Sequence, residues 1–216
     1  MNTLKLQAYN IIKERIIQCE YPPNALLNEE RLKEELNISR TPIRDALSRL
    51  EQESLIQILP KRGITVKSIS TDDVEHVFEM RMLIEPYAIK KYGKAMDRDI
   101  LGDLETFFKK KYEENNSKII YERDDEFHHL IVNASKNTFL IEAYRSVYIQ
   151  NVRLRIINGN LGKDRLEKSQ KEHLEIAKFC LKGNWDKAAI LMNEHLMISR
   201  EISYNSINNL QVLLRR

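Results

Sequence analysis

The chain has 216 residues, of which 42% are hydrophobic and 31% are charged, and its formal net charge is +3 at pH 7. This balance excludes an intrinsically disordered chain, and the longest apolar runs are far shorter than the roughly 20 residues needed to span a bilayer. The small net charge is not by itself evidence for a nucleic-acid partner.

The termini and the cysteines indicate the compartment. The N-terminal residues MNTLKLQAYN contain no apolar segment of the kind that directs export. The two cysteines, Cys19 and Cys180, are far apart and indicate neither a disulfide framework nor a thiol zinc motif. The sequence therefore predicts a cytoplasmic protein with no membrane partner.

The prolines divide the chain into two differently built parts. All five precede residue 87, and the remainder lacks the strongest helix breaker. Ser70 and Asp73 have the spacing of a capping box that opens a new helix. We therefore predict two domains, residues 1–69 and 70–216.

Residues 1–69 read as three helices and a hairpin. Helices are predicted over 4–17 and 27–36, and a third begins with Thr41 as N-cap and Pro42 in the first helical position. The core face of this third helix consists of Ile43, Ala46, Leu47 and Leu50. Residues 55–59 and 64–68 are predicted strands of a hairpin, so the domain reads as a winged helix-turn-helix.

The third helix carries the donors that DNA recognition requires. An α-helix fits the major groove, and the guanidinium groups of Arg40 and Arg44 match guanine or phosphate acceptors. Lys61, Arg62 and Lys67 add charge at the wing. The predicted partner is double-stranded operator DNA, and the predicted contacts are Arg31, Ser39, Arg40, Thr41, Arg44, Ser48, Arg49, Arg62 and Gly63. Periodicity alone leaves open a surface helix whose arginines are merely solvated.

The segment LNISRTPIRDALSRLEQESLIQILPKRGITV closely resembles the GntR family of bacterial regulators, whose recognition segment reads like GVSRTPVREALRRLEAEGL. The matching residues are Ser39, Arg40, Thr41, Pro42, Arg44, Ala46, Leu47, Leu50, Arg62 and Gly63. The chain departs from the family at three turn positions, Asn24, Asn37 and Ser54, where glycine is usual, and asparagine tolerates the left-handed conformation. Glu30 stands where many relatives carry arginine, so a DNA contact is expected to be missing there.

Residues 70–216 show at least six helical stretches and no strand signal, which predicts an all-α bundle. The predicted fold class is therefore mainly α: an N-terminal winged helix-turn-helix, with three helices plus a β-hairpin wing, and a C-terminal all-α helical bundle.

Four residues of the second domain have a spacing that suits a metal site. Asp124 and His128 are four apart on one helix, about 5 to 6 Å from each other. His173 and His195 flank a break near residues 183–184, so an antiparallel hairpin would bring them to the same height. Three imidazoles and a carboxylate suit zinc, nickel or manganese. Each histidine could equally be a satisfied core residue or a solvated one.

The segment DDEFHHLIVNASKNTFL is similar to the D-x-x-x-H-x-x-L-x-x-A-S-x-N signature of the FCD ligand-binding domain, the partner domain in the FadR-type branch of the GntR family. The segment KEHLEIAKFCLKGNWDKAAILMNEHL resembles the closing hairpin of that domain. The resemblance implies a divalent metal, zinc first, held by Asp124, His128, His173 and His195. His129 and His76 match no ligand position.

The resemblance also implies an effector site. In the family, an arginine of the first helix of this domain often pairs with an acidic effector, and the match here is Arg81 in RMLIE. The implied effector is a small carboxylate such as a sugar acid or a hydroxy acid. An ion pair with Glu85, one turn later, is the alternative role. Arg153 and Arg155 are further candidates from a helix that would line the same cavity.

These observations together predict a homodimeric transcription regulator, a repressor, whose operator affinity is controlled by the carboxylate at the metal-containing cavity. Three alternatives remain open from the sequence: a regulator for which the metal is the signal, a metal with a purely structural role, and a metal-dependent hydrolase. No hydrolase motif places a general base, so we expect no enzymatic activity.

Overall fold

The computed structural model describes residues 4–59, 63–110, 117–157 and 163–214. The chain divides into two compact units. The N-terminal unit comprises Met1–Ser70 with Ile149–Ile157, and the helical unit comprises Thr71–Tyr148 with Asn158–Arg216. Residues 149–157 therefore belong to the N-terminal unit, although the predicted boundary assigned them to the second domain.

The N-terminal unit is a winged helix-turn-helix, as the sequence predicted. Its helices are α1 (Leu4–Ile17), α2 (Glu29–Leu36) and α3 (Arg40–Gln52), and its strands are β1 (Leu26–Leu27), β2 (Ile56–Leu59) and β3 (Gly63–Val66). The strands form an antiparallel sheet of order β1-β3-β2. β1 was not predicted, because a strand of two residues is too short to show a period.

Asparagine residues set the ends of α2. The Asn28 side chain accepts from the backbone N–H groups of Glu30 and Arg31, which caps the helix. Asn37 ends it in the left-handed conformation, at φ 51°. The predicted start of α3 was two residues late, since the helix begins at Arg40 with Ser39 as its N-cap and Thr41 lies inside the first turn.

The other two departures from the family pattern also lie at left-handed turns. Asn24 has φ 66° and Ser54 has φ 57°. Asparagine adopts this region readily, and serine does so at a higher cost than glycine. The chain thus keeps the turn geometry without glycine.

The core of the N-terminal unit lies between α1 and α3. Its α3 face is Ile43, Ala46, Leu47 and Leu50, each at most 1% exposed, as the helical spacing predicted. These residues form one apolar cluster with α1 and the sheet, and Ile149 packs against that cluster. Burial of Ile149 against this core explains why residues 149–157 group with the N-terminal unit.

The helical unit contains, among the described residues, helices and one 3-10 turn and no strand, so the predicted bundle is confirmed. Its elements are α4 (Thr71–Tyr92), the turn Gly93–Ala95, α5 (Arg98–Lys109), α6 (Ser117–Asn133), α7 (Thr138–Ile157, which continues into the N-terminal unit), α8 (Lys163–Leu181) and α9 (Trp185–Leu214). α4 packs most extensively on α9, and α8 packs on both α5 and α9. In the described ranges, no helix is long and apolar enough to cross a membrane.

Two glycines of the helical unit provide a matched test of its packing. A Cβ atom at Gly93 would overlap the indole ring of Trp185, whereas a Cβ atom at Gly102, inside α5, would meet nothing within 4 Å. We expect Gly93→Ala to lower the free energy of unfolding by about 1–3 kcal/mol, since overpacking forces a rigid ring to move.

Gly102→Ala is the control. It should raise the free energy of unfolding by about 0.5–1 kcal/mol, because alanine is the better helix former. Urea titration of both variants measures the difference. Equal shifts in the two variants would contradict the packing of Trp185 on Gly93.

Candidate DNA interface and candidate metal centre

The face of α3 opposite to the core is open to solvent. Arg40, Thr41, Arg44 and Ser48 are exposed, and so is Ser39 at the N-cap, while the other face is buried. The predicted orientation of the helix is therefore confirmed. Its donors are presented outward, as an element that enters a major groove requires.

Both outward arginines of α3 are held by carboxylates of α2. Arg40 donates to Oε2 of Glu30 from Nε, at 2.9 Å, and from Nη2, at 2.5 Å. Arg44 donates from Nε to Oε2 of Glu29 at 2.8 Å. The arginine side chains remain 61% and 65% exposed, so part of each guanidinium still faces water.

Arg49 has a different environment from Arg40 and Arg44. Its guanidinium lies 3.8 Å from the centre of the Tyr9 ring, and Nε is 3.3 Å from Oε1 of Glu53. It lies in the last turn of α3, where α1 packs, and these contacts turn it toward α1. Its predicted DNA contact is thus the least supported of those on this helix.

The remaining predicted DNA contacts lie on α2 and the wing. Arg31 is exposed on α2, and Lys67 is exposed after β3. Gly63 opens β3 at φ 97°, a conformation that favours glycine. Arg62 and Lys61 lie outside the described residues.

Three histidines from three helices meet inside the helical unit. His128 (α6), His173 (α8) and His195 (α9) are each at most 4% exposed, and one ring nitrogen of each lies within 4.8 Å of the others. The Nε2 atoms of His173 and His195 are 3.2 Å apart. The hairpin of α8 and α9 therefore places these two residues at the same height, as their spacing predicted. The rings of Phe108 and Phe127 lie against His173.

Asp124 contacts this cluster through His173. Its Oδ1 is 3.5 Å from Nδ1 of His173, and its side chain is 19% exposed. It lies one turn before His128 on α6. All four residues of the predicted metal set are thus close together in the structure.

Two glutamates that the sequence analysis did not connect with the histidines complete the cluster. Oε2 of Glu85 is 2.6 Å from Nδ1 of His128, and Oε2 of Glu172 is 2.6 Å from Nδ1 of His195. Glu172 also accepts from both terminal nitrogens of Arg165, at 2.7 and 3.0 Å. A carboxylate at Nδ1 favours the tautomer that carries its proton there, which leaves the lone pair on Nε2.

Burial and neighbouring charges determine the ionisation of the cluster. Desolvation lowers the pKa of His173 well below 6.5, and the adjacent His195 lowers it further. Desolvation also lowers the pKa of His195, although Glu172 opposes this. Burial alone would raise the pKa of Glu85, but the charges and hydrogen bonds of Arg81 and His128 outweigh it and lower the value to about 2. The cluster therefore combines an ionised carboxylate with two imidazoles that favour the neutral form.

Arg81 lies at the same cluster, on α4. It is 4% exposed, and its Nε donates to Oε1 of Glu85 at 2.7 Å. Its Nη2 is also 3.3 Å from Nδ1 of His128. The ion pair with Glu85, which the sequence left as an alternative, is present, and the same guanidinium reaches His128.

Arg153 and Arg155, the other predicted effector contacts, lie on α7. Both belong to the segment of α7 that groups with the N-terminal unit, and Arg153 donates to the backbone oxygen of Lys67 at 2.6 Å. Their role in the effector cavity stays a prediction. His129 contacts Tyr148, and His76 is exposed, so both remain outside the cluster.

Comparison with known families matches both units. Residues 4–66 match the family described as bacterial regulatory proteins, gntR family, and residues 76–197 match the FCD domain.

Two curated relatives match most of the chain. The chain is 29% identical over 191 residues to the HTH-type transcriptional regulator YdhC of Bacillus subtilis (strain 168), covering 85% of this chain and 83% of the relative. It is 25% identical over 193 residues to the HTH-type transcriptional repressor RspR of Escherichia coli (strain K12), covering 88% and 84%.

Solved structures share the fold. A GntR transcriptional regulator from Rhodococcus sp. RHA1 superposes with a TM-score of 0.78 at 18% identity, covering 92% of this chain and 96% of its own. The Zn²⁺-bound FCD domain of TM0439 superposes with a TM-score of 0.54 at 20% identity, covering 66% of this chain and 97% of its own.

The buried pair of Arg81 and Glu85 yields a stability prediction. Arg81→Met leaves the Glu85 carboxylate buried without its guanidinium, which should lower the free energy of unfolding by about 3–5 kcal/mol. The double variant Arg81→Met with Glu85→Leu removes both charges and should recover part of that loss, because the buried charge is gone but Nδ1 of His128 loses its acceptor. Urea titration measures both. A double variant as unstable as the single one would show that the buried charge is not the cause.

Proposed function

Because the chain belongs to the GntR family of bacterial regulators and carries an FCD domain, it is a DNA-binding transcription regulator and not an enzyme, and we propose that it is a homodimeric repressor controlled by a small carboxylate. The carboxylate binds in the helical unit together with a divalent metal ion held by Asp124, His128, His173 and His195. The observation that carries this proposal is the convergence of three buried imidazoles on one point. We place its action in the cytoplasm, and the name of RspR supports repression.

DNA binding follows from the exposed face of α3. Arg40 and Arg44 contact base edges or phosphates, and the hydroxyl groups of Ser39, Thr41 and Ser48 add phosphate contacts. Arg31 and the wing residues Arg62 and Gly63 extend the contact, with Arg49 at its edge. One short helix of this kind binds too weakly alone, so two copies occupy successive major grooves.

An apolar stripe on α4 supports the homodimer. Met80, Leu83 and Tyr87 are spaced i, i+3 and i+7 and are 37%, 63% and 44% exposed. A helical stripe of large apolar side chains in water is typical of a surface that another protein covers. In a two-fold dimer the same stripe pairs with its own copy.

The donor set of the cluster fits a borderline divalent ion. Zinc–nitrogen bonds of about 2.0–2.1 Å in a tetrahedral site separate the nitrogens by about 3.3 Å, and the Nε2 atoms of His173 and His195 are 3.2 Å apart. Glu85 and Glu172 orient the imidazoles from the other ring nitrogen. The Zn²⁺-bound state of the TM0439 domain supports zinc as the first choice, with nickel or manganese as alternatives. When bound, the ion would supply coordination positions for carboxylate oxygens.

Arg81 supplies the cationic partner for the effector. A guanidinium that is buried beside the cluster makes short, charge-assisted hydrogen bonds to a carboxylate. Glu85 accepts from Nε of Arg81, and Nη2 lies 3.3 Å from Nδ1 of His128, so the effector carboxylate shares or replaces a present partner of the guanidinium. A small acid with a second oxygen donor fits this pair of groups.

The DNA interface is tested by removing its arginines. Arg40→Ala and Arg44→Ala should each weaken binding to a duplex that the wild type selects from a random pool by at least about tenfold. The slope of log affinity against log salt should fall by about 0.9 for each lost phosphate contact. Fluorescence anisotropy measures both quantities, and titration at high DNA concentration should give two chains per duplex.

Arg145→Ala is the control for total charge, because Arg145 is an exposed arginine of the helical unit that pairs with Glu142. It should leave operator affinity within a factor of two. If Arg40→Ala and Arg44→Ala behaved like Arg145→Ala, the proposed DNA interface would be wrong.

The metal site is tested through Glu172. Glu172→Gln removes the charge that orients His195 and should weaken zinc binding about 10- to 100-fold, measured by competition with a chromophoric chelator. Glu175→Gln, on the same helix, removes a carboxylate whose partner is the surface residue Lys178 and should leave zinc affinity unchanged. Equal effects would contradict the orienting role of Glu172.

One further experiment separates the role of the metal from that of the effector. Operator affinity is measured for the metal-free and the zinc-loaded protein, each with and without a panel of hydroxy acids and sugar acids. Our proposal expects the largest change only when zinc and an acid are both present. A change caused by zinc alone would favour a metal-sensing regulator. An acid response that persists in metal-free protein of lower thermal stability would favour a structural metal.

A further inference from the structure

The first turn of α2 places two carboxylates against the recognition arginines. Glu30 accepts two hydrogen bonds from Arg40, and Glu29 accepts one from Arg44. Arg40 and Arg44 carry two positive charges, and Glu29 and Glu30 carry two negative charges. Within this group of four residues, the outward face of the helix-turn-helix is therefore electrically neutral.

The position of the two glutamates is fixed by α2 and not by the arginines. Asn28 caps the helix by accepting from the N–H groups of Glu30 and Arg31, and acidic side chains are stabilised in a first helical turn. Lys33 also donates to Glu30. The hydrogen bonds from Lys33 and Arg40 lower the pKa of the Glu30 carboxyl, so it is ionised whenever the protein meets DNA near neutral pH.

Because Glu29 and Glu30 already bind the two guanidinium groups, a DNA duplex must compete with them for these donors. Phosphates and carboxylates compete for the same guanidinium donors. A duplex that offers only phosphates must displace Glu29 and Glu30 and also bring its own negative charge close to theirs. A duplex whose base edges match the arginines has additional acceptors to offer, because guanine O6 and N7 are neutral and bind arginine in a bidentate manner.

We propose that Glu29 and Glu30 are specificity-determining residues, which hold Arg40 and Arg44 away from the phosphates of unrelated DNA and so raise the ratio of operator to non-operator affinity. The inference rests on the DNA interface proposed above. The ion pairs are suited to this role because they are exposed: the glutamate side chains are 31% and 42% exposed. Such pairs are weak enough to exchange when a better acceptor arrives.

The test compares Glu29→Gln and Glu30→Gln with the wild type on two duplexes. One is the duplex selected by the wild type from a random pool, and the other is a scrambled duplex of the same composition. Each variant should bind the scrambled duplex at least about threefold more tightly, with a salt slope steeper by about 0.9 for each arginine freed to contact phosphate. Affinity for the selected duplex should rise less, so the ratio of the two affinities should fall.

Glu34→Gln is the matched control. Glu34 is exposed on α2, one turn beyond Glu30, and no contact joins it to Arg40 or Arg44 in the described part of the chain. It removes the same charge from the same helix and should leave the affinity ratio unchanged. Circular dichroism and the thermal midpoint of each variant establish that the fold is retained.

Two results would overturn the proposal. If Glu34→Gln raised affinity for both duplexes as much as Glu30→Gln, the effect would be total charge alone. If Glu30→Gln lowered affinity for the selected duplex only, the glutamate would read a base directly. Either outcome leaves the proposed DNA interface standing, whereas an unaltered affinity in Arg40→Ala and Arg44→Ala removes that interface and this inference with it.

Discussion

The helical unit depends on mutual neutralisation of charges that are removed from water. Taking a guanidinium or a carboxylate out of water costs several kcal/mol unless a partner of opposite charge and further hydrogen bonds compensate it. Glu85 compensates two groups at once, because one oxygen accepts from Arg81 and the other meets Nδ1 of His128. Glu172 does the same for Arg165 and His195. Glu85 thus joins α4 to α6, and Glu172 joins α8 to α9, on either side of the three imidazoles.

The N-terminal unit keeps its charges on the surface and its apolar side chains inside. The arginines of α3 point outward because Ile43, Ala46, Leu47 and Leu50 occupy the opposite face. In water the attraction between Arg40 and Glu30 is screened and contributes little to stability. The stability of this unit thus comes from its apolar core, and the polar face is free to exchange partners.

The relative positions of residues were predicted from the sequence where the residues lie on one helix or on two helices joined by a short turn. Helical period alone gives the core face of α3 and the position of Asp124 one turn before His128, and the break near residue 183 gives the meeting of His173 with His195. Contacts between distant helices were not predicted, because spacing carries no information about which carboxylate faces which histidine. Glu85 lies 43 residues from His128. The sequence also did not predict that residues 149–157 group with the N-terminal unit, because α7 reads as one uninterrupted helix.

The two sites combine arginine with glutamate in opposite surroundings, and the surroundings determine what the pair does. Arg81 and Glu85 are 5% and 0% exposed, so separating them without replacing both partners is costly, and the pair resists exchange. Arg40 and Glu30 are 61% and 42% exposed, so water stabilises each partner when the pair opens. An anion that approaches the buried pair must therefore bring a complete set of compensating contacts, while an anion at the exposed pair competes with one weakly held carboxylate. The same kind of ion pair therefore admits the proposed effector only if it compensates both buried charges, whereas at the exposed pair DNA binds more or less tightly according to how well it competes with the carboxylate.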